Sequence, residues 1–69
     1  MAELDYRIET EQEVDGRWIA EVVDLPGVLA YGSSKQEAIA NAEAIAFRVI
    51  ADRIDKSKIA TSRVSFGSA

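Results

Sequence analysis

Residues 24–37, Asp24-Leu25-Pro26-Gly27-Val28-Leu29-Ala30-Tyr31-Gly32-Ser33-Ser34-Lys35-Gln36-Glu37, are where the chain passes from strands to a helix. Asp24-Leu25-Pro26-Gly27 breaks the strand before it, because proline has no N–H for a ladder and glycine permits a sharp bend. Val28 to Tyr31 reads as a short strand, ended by Gly32. Ser34 can then cap the first free N–H groups of a helix, and Glu37 stands three residues on, the capping-box spacing.

Upstream of this stretch the hydrophobic period is two. Over residues 4–10, Leu4, Tyr6, Ile8 and Thr10 point one way and Asp5, Arg7 and Glu9 the other, the pattern of a half-buried strand. Asp15-Gly16 marks a turn, since glycine accepts positive φ without a Cβ clash. Residues 17–23 form a second strand rich in β-branched and aromatic types, completing a hairpin.

Downstream the helical pattern continues to about Ile54 without proline or glycine, a rod of roughly 30 Å. A loop over residues 55–58 and a last alternating strand over residues 59–66 follow, with Gly67-Ser68-Ala69 as a frayed end. The predicted fold is α+β in the order β-β-β-α-β. It is one domain over residues 1–69: an antiparallel three-strand meander, one helix packed on one face, and a fourth strand. One helix covers one face of a four-stranded sheet, so the other face meets solvent or another chain.

The helix is not apolar in one narrow stripe. Ala38, Ala42, Ile45, Ala46 and Val49 mark its buried centre, flanked by Ile39 and Ile50, while Glu37, Asn41, Arg48 and Asp52 mark the wet side. Between them runs a second apolar row, Ala40, Ala44, Phe47 and Ala51. Small residues around one aromatic suit a second helix or a partner, so this row is the candidate interface. For the alanines, plain helix propensity is an equal alternative. Trp18 joins the candidates with two fates open: packing under the helix, or meeting another chain on the uncovered face.

Composition narrows the function. A core in a chain of 69 residues supplies only about 3–5 kcal/mol, so such chains use disulfides, metals or association. With neither cysteine nor histidine, thiolate sites and the familiar nucleophilic triads are excluded, and a metal would need carboxylates alone. Association, as a dimer or tetramer, is the staple left, the alternative being an unusually efficient monomer core. Ser33, Ser57, Ser62 and Ser65 have no recognisable setting, and a Ser–Lys pair using Lys35 or Lys58 is a remote alternative. The acids Asp5, Glu9, Asp15 and Asp24 read as solvated strand and turn charges rather than metal ligands. No cofactor is expected. The net charge of −4 and scattered cations disfavour nucleic-acid binding by this chain alone. A basic protein partner is compatible with that charge. Neither a signal peptide nor a membrane span is legible, which makes the cytoplasm the expected location.

Several fragments, taken in order, resemble the HicB-like antitoxins. They are Asp15-Gly16-Arg17-Trp18-Ile19-Ala20-Glu21, Asp24-Leu25-Pro26-Gly27-Val28, Ala30-Tyr31-Gly32-Ser33-Ser34, Glu37-Ala38 and Asn41-Ala42, spanning about residues 4–52. The resemblance implies a truncated RNase H-like fold in the same β-β-β-α-β order, without that fold's catalytic carboxylates. It also implies a non-catalytic protein that binds and neutralises HicA, a small basic mRNA-cleaving toxin. Full-length antitoxins of this kind add a C-terminal DNA-binding segment, for which the chain has no room after its fourth strand. Operator binding is therefore not carried over, and a solitary HicB-like oligomer without a toxin is the alternative.

Overall fold

Residues 2–68 are described by the computed structural model of the chain. The element order is β1 (Ala2–Gln12), β2 (Trp18–Val22), β3 (Leu29–Gly32), α1 (Lys35–Ser57) and β4 (Thr61–Ser68). The four strands form one sheet in the order β3-β2-β1-β4. β1, β2 and β3 are an antiparallel meander, whereas β4 arrives after the helix and pairs parallel to β1. The β-β-β-α-β expectation holds, and the sheet is mixed.

Both turns in the meander follow from their residues. In the hairpin, the Gly16 N–H donates to the Glu13 carbonyl at 3.0 Å and the Glu13 N–H to the Arg17 carbonyl at 2.7 Å. Gly16 sits at φ 93°, which an L side chain resists. The Asp15 carboxylate accepts from the Arg17 N–H at 3.1 Å and from its Nε at 2.8 Å. In the second turn the Val28 N–H donates to the Leu25 carbonyl at 3.1 Å, with Pro26 and Gly27 between them and Gly27 at φ 82°. Proline first and positive-φ glycine second is the type II arrangement. Asp24 ties this turn back to β1 by accepting from the Arg7 N–H at 2.9 Å.

The helix starts as its residues dictate. The Ser34 Oγ accepts from the Glu37 N–H at 3.1 Å, and the Glu37 carboxylate accepts from the Ser33 N–H at 2.8 Å. Its end differs from the sequence expectation. Residues 55–57 are helical, supported by the Asp52–Lys56 ion pair at 3.1 Å, and Lys58 closes the helix at φ 59° with its N–H on the Ile54 carbonyl. The last strand accordingly begins at Thr61 and runs to Ser68, because β1 offers it a template from Ala2 to Ile8. Residues 67 and 68 are therefore strand rather than frayed end, and Ala69 lies outside the described residues.

The core is built largely of small side chains. Ala20 of β2 and Ala38, Ala42 and Ala46 of α1 are fully buried, beside Tyr6, Ile8, Val22, Leu25, Val28 and Ile50. Among the described residues, packing of α1 is concentrated on β3 and β2, with a small share on β1. The helix-side surface of β1 and β4 is left partly open. The molecule is correspondingly long, 42 × 19 × 16 Å. Its radius of gyration is 12.8 Å, against about 11 Å for a compact chain of this length.

Candidate protein-binding surfaces

The face of the sheet opposite the helix is the first surface. Register places Glu9 directly across from Glu21, and Glu11 across from Ile19. Continuing outward, Glu21 faces Leu29 and Ile19 faces Tyr31. The result is an acidic band on β1 and β2, extended by Glu13 into a shallow groove, beside an apolar corner where Leu29 and Tyr31 are 41% and 43% exposed. Like charges directly opposite on a sheet repel. Among the described residues no cation lies within ion-pair distance of Glu9 or Glu21, while Arg7 pairs with Asp24 at 3.8 Å and Arg17 with Asp15 at 2.8 Å. The Arg17 guanidinium stands 4.7 Å over the Tyr31 ring. The hydrogen bond from the Arg17 N–H, and then the Arg17 side chain, hold the Asp15 carboxyl below the usual carboxylate range.

The second surface is a groove between the C-terminal half of α1 and β4. Phe47 is 52% exposed, and its ring meets Phe66 edge-on at 5.4 Å between centroids. Phe66 stacks on Tyr6 at 5.7 Å. Leu4, Ile54, Ile59 and Val64 continue the apolar lining, and Arg53 and Arg63 border it. No described carboxylate lines this groove, in a chain whose net charge is −4.

The candidates read from sequence separate on folding. Ala40, Ala44 and Ala51 are exposed on the helix, and Phe47 and Ala51 share the groove wall. Trp18 sits on the same side of β2 as Ala20 and packs against the core, so of its two fates the structure takes the one under the helix. Asp15, Gly16, Asp24, Leu25, Pro26, Gly27, Gly32, Ser34 and Glu37 all serve turns, caps or close packing. Sequence reasoning missed Glu21, Leu29, Tyr31 and Phe66. The pairing of β1 with β2 is symmetric about Asp15, so the Glu9–Glu21 juxtaposition was latent in the position of the turn.

Several of the residues weighed for chemistry have other engagements. Lys58 pairs with Asp55 at 3.0 Å, and the Ser57 Oγ accepts from the Ile59 N–H at 3.2 Å. Asp5 accepts from the Ser65 hydroxyl. Among the described residues, no three His, Cys, Asp or Glu side chains are grouped to hold a metal ion, and no helix is long and apolar enough to cross a membrane. Comparison of the chain with family models, with curated proteins and with solved structures gave no match in any of the three.

Proposed function

We propose that this chain is a non-catalytic protein-binding module of the HicB-like antitoxin kind. In this reading it is a partial RNase H-like domain that works in the cytoplasm and associates with itself. It neutralises a small basic HicA-type RNA-cleaving toxin by covering the toxin's active site. The observation that carries the reading is the Glu9–Glu21 pair on the uncovered face of the sheet. Two carboxylates held opposite each other destabilise an isolated sheet by about 0.2–1 kcal/mol. A lysine or arginine of a partner would convert that repulsion into charge-assisted hydrogen bonds. The adjoining Ile19, Leu29 and Tyr31 supply apolar and aromatic contact area next to the charge, as binding surfaces do.

The test is co-expression with a small, basic, histidine-containing protein encoded beside this chain. Wild type is expected to restore growth and to co-purify with that protein, less tightly as salt rises. The Glu9→Lys/Glu21→Lys variant is expected to lose both effects while keeping its circular dichroism. Failure of wild type to restore growth or co-purify overturns the toxin reading.

A further inference from the structure

We infer that the cavity beneath the C-terminal end of α1 binds a small arylalkyl carboxylate, its ring held between α1 and β1 and its carboxylate met by Arg53 and Ser57. The site lies on the helix side of the sheet, apart from the Glu9–Glu21 face, so it neither needs nor excludes a protein bound there.

The cavity has a volume of about 190 Å³, and its lining is graded from inside to outside. Tyr6 and Ile50 are buried and form the floor, while Leu4 and Ile54 are half-buried and form the walls. Arg53, Ser57 and Ile59 are exposed and mark the mouth. The Tyr6 ring is fixed by stacking on Phe66 at 5.7 Å, which gives a bound ring an aromatic surface to pack on. Ile59 is 59% exposed, an isoleucine that the chain itself leaves uncovered. Lys58, at φ 59°, turns the backbone so that Ile59 returns to the cavity beside Ile54.

Size excludes a second polypeptide element. One turn of helix, about 5.4 Å long and 10 Å across, fills about 400 Å³, twice the space present. A cavity of about 150 Å³ takes benzene, so this one takes a phenyl ring with about one or two methylenes and leaves a polar head group at the mouth.

Charge decides that head group. Of the 12 acidic residues in the chain, no described one lines the cavity. Asp52 and Asp55, on either side of Arg53 in sequence, pair instead with Lys56 at 3.1 Å and Lys58 at 3.0 Å. Among the described residues Arg53 has no hydrogen bond or ion pair within the chain, so its guanidinium is open to an anion. Ser57 follows four residues on, on the same face of the helix. Its Oγ accepts from the Ile59 N–H at 3.2 Å, which leaves the hydroxyl proton to donate. A carboxylate at the mouth thus accepts from both groups, and it stays solvated enough to avoid the cost of burying a charge. An ammonium head group would meet the like charge of Arg53 instead.

The experiment is an NMR titration of the isotope-labelled full chain with phenylpropionate, phenylpropionamide and phenylpropylamine, three probes of one shape and different charge. Wild type is expected to show saturable shifts around Tyr6, Ile50, Ile54 and Ile59 with phenylpropionate. The expected dissociation constant is on the order of 1 mM, the affinity that about eleven non-hydrogen atoms supply. The amide is expected to bind about threefold more weakly, the range of an exposed ion pair, and the amine more weakly still. Arg53→Gln is expected to bind carboxylate and amide alike. Arg63→Gln has the same net charge but borders the neighbouring part of the groove, and it is expected to keep the preference. The spectra themselves verify that each variant is folded. Shifts that do not saturate or that centre elsewhere overturn the inference, as does an amine that binds as well as the carboxylate. Arg53→Gln and Arg63→Gln behaving alike overturns it too, since the preference would then follow net charge and not this site.

Discussion

Gly32 is the residue that most constrains the packing. A Cβ built on it would lie 2.4 Å from the Ala38 nitrogen and 2.9 Å from the Ala38 Cα, both backbone atoms of the first helical turn. Glycine is needed here for close approach, since the last residue of β3 passes directly beneath the start of α1. Gly67 in β4 has nothing within 4 Å of the same position. Gly32→Ala should therefore destabilise the protein by about 1–3 kcal/mol through overpacking, and Gly67→Ala should stay within about 0.5 kcal/mol. Urea midpoints at one fixed protein concentration check the pair, the fixed concentration holding any contribution from association constant. Equal midpoints for the two variants would refute the close-approach account.

Among the elements, the β1–β2 hairpin carries the clearest pH dependence. Asp15 holds the loop through the Arg17 N–H and side chain, and its carboxyl titrates below its usual value because those bonds favour the charged form. A carboxyl whose folded pKa is depressed contributes stability above its unfolded pKa, near 3.9 for Asp. That contribution is lost as pH falls through the folded value. Wild type should thus melt higher than Asp15→Asn at neutral pH, and the gap should narrow as the pH is lowered below about 4. Melting curves of both proteins across that range decide the matter; a gap independent of pH rules out the carboxylate as the cause. The helix shows what small residues do at the same scale. Four fully buried alanines, three on α1 and one on β2, bring α1 down onto β2 and β3, and the thin core that results buries few large side chains.

At the scale of the whole molecule, charge and coverage are unevenly distributed. The helix covers one half of one sheet face, an acidic band and an apolar corner share the opposite face, and the groove beside β4 is apolar with a basic border. Under the proposed function, a face that takes a basic partner trades stability for binding. Glu21→Lys should raise stability by about 0.2–1 kcal/mol by turning a like-charge cross-strand pair into an opposite one, while weakening capture of a basic protein. Chemical denaturation and co-purification, run on the same variant, read the two effects independently. A variant that is both less stable and a better binder would overturn the assignment of this face.

How much of this was legible before folding depends on the range of the interaction. The Asp15-Gly16 and Pro26-Gly27 turns, the Ser34 cap and the two-residue period of β1 are local: each follows from neighbouring residues and from the backbone preferences of Gly, Pro and Ser. They determined the β-β-β-α-β order and the existence of a bare sheet face. The helix end was misjudged by three residues, since its closure depends on Lys58 adopting a left-handed conformation that no glycine advertised. Tertiary structure alone decided the rest: that Trp18 lies on the helix side, that Phe47 meets Phe66, that Glu9 stands opposite Glu21, and that α1 rests on β2 and β3 rather than centrally. Those outcomes depend on register and on how closely alanines let two elements approach. Both are fixed by contacts between residues far apart in the chain, which no local pattern encodes.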